Sequence, residues 1–226
     1  MEKFKYIKNI AEGVGTICLY SQIGDSIDED GNYVYGISGS SFSYEMLYLQ
    51  EKCKTINVRI NSIGGNVMDG YSIVSSILNC TCECNTYIDG LAASISGVIA
   101  VAGKKCYIMD YGTMMLHNPS GGDDKKVLSI VKDTLVTILS GRTAMTPEDC
   151  GKMMDKETWL NADEALKMGL VDGVIASNKK VKIKKSEPMQ MANIYNKLIN
   201  NTPDMEKIAN VLKLSNTASE NEIIDA

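Results

Sequence analysis

The 226-residue chain holds a single histidine, one tryptophan, two phenylalanines and four prolines. One histidine excludes histidine-rich metal centres, and no cofactor is expected. No apolar run approaches the roughly 18 residues needed to span a bilayer, and Met1-Glu-Lys-Phe-Lys lacks the apolar core of a secretion signal. The expectation is a cytoplasmic protein without a membrane partner. Positive charge is also short: the net charge is −5, so no broad basic surface exists for nucleic acid. The one basic cluster, Lys179, Lys180, Lys182, Lys184 and Lys185, reads as a solvated strand or linker. Seven cysteines, an odd number without framework spacing, predict reduced thiols. Cys80, Cys82 and Cys84 are spaced to share one face of a strand, and with the histidine far away they predict no metal site.

What is present is enough apolar material for one good-sized core, 44% of the residues. Val14-Gly-Thr-Ile-Cys-Leu-Tyr20 is rich in strand formers, and Asp30-Gly31 marks a turn before Tyr33-Val-Tyr35. Phe42, Met46, Leu49 and Cys53 recur with helical spacing, 55–60 alternates as a strand, and Val67, Tyr71, Val74, Ile77 and Leu78 mark a second helix. Strand 82–89, helix 94–102, strand 105–109 and strand 113–117 follow. This interleaving predicts βαβ crossovers, hence an α/β fold with a mainly parallel sheet. Val127, Val131, Leu135 and Ile138 form a longer helical stripe. Thr146-Pro147 opens a further helix with a cap and a proline at its first position, and Asn161 and Gly169 bound a short one. The organisation is one domain over 1–176, a lysine-rich linker over 177–189 and a helical extension over 190–226.

Chemistry concentrates where strands end. A serine hydroxyl barely ionises at neutral pH and needs an adjacent base, for which imidazole is suited. Ser94 follows the strand ending near Asp89, and His117 closes the strand beginning at Thr113. Acyl transfer also needs donors for an oxyanion. Asn61-Ser-Ile-Gly-Gly-Asn66 lets the backbone turn its N–H groups towards a ligand at a helix start. The N–H of Gly64 is the first candidate donor and that of Ile95 the second. Sequence spacing leaves open whether these groups meet.

Ile60-Asn-Ser-Ile-Gly-Gly65, Asp89-Gly-Leu-Ala-Ala-Ser94, Met115-Leu-His-Asn-Pro119 and Glu157-Thr-Trp-Leu-Asn-Ala-Asp-Glu-Ala165 through Gly169-Leu-Val-Asp172 resemble the successive motif blocks of the ClpP family of serine peptidases, in order from about Val14 to Ile175. The resemblance implies the ClpP/crotonase superfold, a Ser-His-acid triad and homo-oligomeric rings or double rings that enclose the sites. It assigns the nucleophile to Ser94, the base to His117, the oxyanion donors to Gly64 and Ile95, and the acid to Glu157, with Asp155 in reserve. Two positions depart from the family pattern: Ile63 stands where proline is usual, and the acid is glutamate rather than aspartate. The helix at 123–140 would be the handle through which ring partners interdigitate.

The Glu157-Thr-Trp-Leu form and the extension beyond 190 are more similar to the ClpP-like head maturation proteases of tailed phages. That implies an ATP-independent endopeptidase cleaving capsid or scaffold protein, and its own tail. Alternatives are a housekeeping ClpP-type chamber fed by an AAA+ unfoldase, a crotonase-like acyl-CoA enzyme, and an inactive scaffold retaining the fold.

Overall fold

A computed structural model describes residues 4–27, 31–121 and 123–178. Its main sheet runs β1-β2-β5-β6-β7-β10, and the links from β2 to β10 are all parallel. The strands are β1 (Ile7–Ala11), β2 (Val14–Leu19), β5 (Thr55–Ser62), β6 (Glu83–Ala93), β7 (Lys105–Met109) and β10 (Gly173–Ile175). β3 (Ser26–Ile27) and β4 (Tyr33–Val34) form a separate hairpin. The α/β expectation holds, and the reason is visible in β5. Ile56, Val58 and Ile60 are fully buried while the residues between them are only half covered, so one face must be roofed by helices.

That roof begins with α1 (Gly39–Lys52) and α2 (Val67–Leu78), which bury Phe42, Met46, Leu49, Ile73, Val74 and Ile77. The centre of the core is α3 (Ile95–Val101), buried along its whole length. Gly70 admits it, since a Cβ there would lie 2.2 Å from Ile95 Cγ1. α5 (Pro147–Asp155) is capped by Thr146 with Pro147 at its start, and α6 (Ala162–Lys167) has a full capping box from Asn161 and Glu164, as their sequences predict. β8 (Thr113–Leu116) pairs with the far end of β6, and β9 (Thr158–Asn161) pairs antiparallel with β8.

Several expectations shift. β1 carries no alternation and is largely exposed; it is held instead by Glu45, a buried carboxylate accepting the N–H groups of Lys5, Tyr6 and Ile7 at 2.7, 2.9 and 2.7 Å. The nucleophile-strand helix starts at Ile95, one residue after Ser94. In α2 the buried stripe runs through Ile73 and leaves Leu78 58% exposed. α4 (Lys125–Arg142) packs on α3 and α5 through Val131, Leu135, Val136 and Leu139, so its own fold covers most of the stripe assigned to a handle. Val127 and Ile130 remain outside it, 49% and 58% exposed. Cys80 and Cys82 precede β6, so the three close-spaced cysteines do not share a strand. Among the described residues no group of histidine, cysteine or carboxylate side chains could hold a metal, and no helix is long and apolar enough to cross a membrane. The lysine cluster, nearly all of the linker and the extension at 190–226 lie outside the described residues. Ser177, at the expected boundary, is tied to the fold through Asp110 at 3.0 Å.

Candidate active site

The site forms where β5, β6 and β8 end together. β8 adds to β6 only over its last residues, pairing Leu91 with Thr113 and Ala93 with Met115, and the Ser94 N–H then donates to Met115 O at 2.9 Å. Two residues on, His117 leaves the strand beside Ser94. Ser94 occupies the N-cap position of α3, where a serine hydroxyl ordinarily caps the helix. Its backbone, φ 58 and ψ −129, turns the side chain away, and no side-chain cap bond forms. The freed Oγ lies 2.8 Å from His117 Nε2. Positive φ at a non-glycine residue is stored strain, concentrated where a side chain must be presented. Two residues far apart in sequence are thus in hydrogen-bond contact.

The two backbone N–H groups expected to serve an oxyanion lie beside them. Gly64 has φ 88, and a Cβ there would meet Ala93 O at 2.6 Å, Ser94 Cβ at 2.7 Å and Ile95 N at 3.2 Å. Only glycine brings the β5–α2 loop this close to the nucleophile turn. The Ile95 N–H, first in α3, meets no acceptor among the described residues. The Gly64 N–H donates to Ser62 Oγ at 3.1 Å. In this structure the Ile95 N–H is therefore open and the Gly64 N–H is capped. The loop is clamped from its other side by Ile23, whose N–H donates to Gly64 O at 2.8 Å and whose carbonyl accepts from Asn66 N at 2.7 Å. Sequence reasoning missed Ser96, fully buried, whose hydroxyl reaches Ser62 O at 2.8 Å and Ala93 O at 2.7 Å and so ties both arms of the pocket. No periodicity or motif distinguishes it from a packing serine.

The carboxylates separate by what they touch. β8 and β9 pair Leu116 with Thr158, and one further step along that register sets Glu157 across from His117. Burial pushes the His117 pKa below its ordinary value, and the Glu157 charge opposes that by raising it. Glu157 makes no hydrogen bond to the ring. Its Oε1 accepts from Trp159 Nε1 at 3.1 Å, and its backbone is held at φ 47. Asp155 is committed elsewhere, its Oδ1 accepting from Asn118 Nδ2 at 2.8 Å and from Lys132 Nζ at 2.6 Å. These bonds hold its pKa below the usual carboxylate range. A neutral imidazole against a hydroxyl, a carboxylate within electrostatic reach and an open backbone donor can carry out acyl transfer.

The family model described as Clp protease matches residues 37–178, more than half of the chain. The chain belongs to the Clp protease family. It is a serine-type endopeptidase by that membership and is similar to the ATP-dependent Clp protease proteolytic subunit of Porphyromonas gingivalis, 29% identical over 66% of this chain and 73% of that one. It is equally similar, at 29%, to the ATP-dependent Clp protease proteolytic subunit 2 of Chlamydia trachomatis over 79% of this chain and 95% of the relative. A mutant ClpP1 from Listeria monocytogenes has the same fold, with a TM-score of 0.62 at 23% identity over 72% of this Clp protease and 92% of that chain.

Proposed function

We propose that this Clp protease is the peptidase subunit of a ring-shaped chamber and cleaves polypeptides through an acyl-enzyme on Ser94. The observation that carries the reading is the 2.8 Å contact between Ser94 Oγ and His117 Nε2 beside the open Ile95 N–H. Ser94 Oγ attacks the scissile carbonyl while His117 Nε2 takes its proton. Because burial depresses the His117 pKa, the ring is neutral and able to accept at pH 7. The oxyanion accepts from Ile95 N–H and, once the Ser62 hydroxyl yields, from Gly64 N–H. Glu157 orients the ring and stabilises the imidazolium. His117 then protonates the leaving amine, and water repeats the sequence to release the acid. No metal or cofactor is required.

The names of the bacterial relatives favour the alternative over the expected phage role. They are proteolytic subunits called ATP-dependent, which supports a cytoplasmic chamber supplied by a separate ATP-driven unfoldase. Processing of capsid or scaffold protein without ATP is the second reading, and it rests on Glu157-Thr-Trp-Leu and on the sequence of the extension at 190–226. The acyl-CoA reading is disfavoured by the Ser94–His117 contact, which such chemistry does not need.

A fluorophosphonate should label Ser94 and nothing in Ser94→Ala, which should retain assembly and lose hydrolysis of a small peptide. Unchanged peptidase activity in that variant rejects the site. Recovery of an ATPase in a native pull-down, with folded substrate degraded only when ATP is present, supports the chamber. Cleavage of capsid protein without ATP replaces it with the second reading.

A further inference from the structure

β5 ends on a hydroxyl where its pattern calls for a hydrocarbon. Ile56, Val58 and Ile60 are fully buried, and Ser62, next in that alternation, is only 3% exposed. The pairing with β6 shifts register between Ile60 and Ser62, and Asn61 Oδ1 accepts the Leu91 N–H at 3.0 Å, just before the glycine loop. A buried hydroxyl has to find a partner. Among the described residues the one partner of Ser62 Oγ is the Gly64 N–H at 3.1 Å. That N–H is one of the two groups expected to serve an oxyanion.

The bond is not what holds the loop. The Ser62 carbonyl accepts from Ser96 Oγ at 2.8 Å. Gly64 O accepts from the Ile23 N–H at 2.8 Å, and Ile23 O accepts from the Asn66 N–H at 2.7 Å. The backbone on both sides of Gly64 is thus fixed without the Ser62 side chain, whose hydroxyl restrains the N–H alone. A serine oxygen accepting the N–H two residues on is a weak local closure, and 3.1 Å is near the long end of such bonds.

We propose that Ser62 is a positioning residue that latches the second oxyanion donor, withholding the Gly64 N–H from bound substrate and releasing it to the transition state. The proposal rests on the acyl-enzyme reading of Ser94 and adds the order in which the two donors engage. The Ile95 N–H is open and meets the substrate carbonyl on arrival. The Gly64 N–H already has a neutral oxygen as acceptor, and exchanging it for a neutral carbonyl gains little. As Ser94 attacks, the carbonyl oxygen becomes an anion, to which an N–H bonds about twice as strongly as to a neutral oxygen. The exchange then becomes favourable, and the second donor acts on the transition state alone.

Removing the hydroxyl abolishes this selectivity. In Ser62→Ala the Gly64 N–H has lost its acceptor and binds the substrate carbonyl and the oxyanion alike. Both states then tighten, relative to the free enzyme, by one ordinary hydrogen bond, a factor of roughly two to ten. The gain therefore falls on KM rather than on kcat. A serine that served only to pack the loop would lower turnover when truncated, so the two roles differ in sign.

The experiment follows hydrolysis of a small peptide ester by the full chain, and its labelling by a fluorophosphonate with the adduct located by peptide mass. Ser62→Ala should raise kcat/KM and the second-order labelling rate roughly two- to tenfold, through a lower KM. Its Tm should fall by ~2–4 °C, because a buried N–H has lost its partner. Ser62→Cys keeps an acceptor of similar size that bonds more weakly, and its rate should lie between those of serine and alanine. Ser96→Ala frees the Ser62 carbonyl but keeps the latch, and should lower kcat. Slower or unchanged labelling of Ser94 in Ser62→Ala, a Ser62→Cys rate below that of the unsubstituted chain, or an equal gain from Ser96→Ala would overturn the latch while leaving the nucleophile in place. Absence of Ser94 labelling in the unsubstituted chain would instead overturn the acyl-enzyme reading, and the latch with it.

Discussion

Replacing Glu157 by glutamine removes the one carboxylate whose charge acts on His117 among the described residues. The side chain stays nearly isosteric and can still accept from Trp159 Nε1. His117 Nδ1 has no hydrogen-bond partner among the described residues, so a carboxylate that reached it would be what fixes the ring as imidazolium develops. A hydrogen bond between charged partners contributes about 1.5–3 kcal/mol, which corresponds to a loss of roughly tenfold to 150-fold in the acylation rate. If Glu157 acted only through space from its exposed position, the loss would be about fivefold at most. The larger value is what the proposed orienting role predicts, in which the carboxylate leaves Trp159 and accepts from His117 Nδ1. The pH dependence has a determined sign. With neutral His117 as the proposed base, activity rises with pH through its pKa, which burial already holds below the ordinary imidazole value. Glutamine removes the opposing influence that raises this pKa, so the rising limb moves to lower pH while the plateau falls. Single-turnover acylation of a peptide ester across the acid limb measures both. Asp155→Asn is the control, since that carboxylate is engaged by Asn118 and Lys132. A limb that stays in place or moves upward, or a greater loss from Asp155→Asn than from Glu157→Gln, refutes the assignment of the orienting acid.

Ser94→Gly should be more stable than Ser94→Ala by about 1 kcal/mol, or ~2–4 °C in Tm, because φ 58 strains any residue with a Cβ. Both variants should be inactive, and equal melting temperatures in calorimetry would show that the turn is unstrained. Gly64→Ala should cost about 2–4 kcal/mol and abolish fluorophosphonate labelling, since its methyl would lie 2.6 Å from Ala93 O; normal labelling would place the loop elsewhere. Glu45→Ala leaves three N–H groups without their carboxylate and should destabilise by about 2–4 kcal/mol. Hydrogen exchange should then quicken first in β1, and uniform exchange would contradict its role as the anchor of that strand.

Local features carried their own positions in the sequence. Thr146 with Pro147, Asn161 with Glu164, and Gly169 at φ 73 bound their helices because capping is settled within a few residues. The α/β alternation was legible for the same reason: a strand buried on one face and a helix with one apolar stripe each write their period into the chain. β1 was not legible, because its hold is a side chain 38 to 40 residues away rather than a pattern of its own. Nor was the divided α4, whose apolar residues look alike until α3 and α5 cover some of them and leave Val127 and Ile130 bare.

Ser94, His117 and the glycine pair stood out by residue type and motif, and the choice of chemistry followed from them. The 2.8 Å contact between Ser94 and His117, the capping of Gly64 by Ser62, the bonds of Ser96 to both arms of the pocket and the different partners of Glu157 and Asp155 came from strand register and from which donor each oxygen met. Composition and order set which groups are available to this chain. Their distances are fixed only when parallel strands from three parts of it end at one edge, because the contacts that decide reactivity join residues that no local periodicity relates.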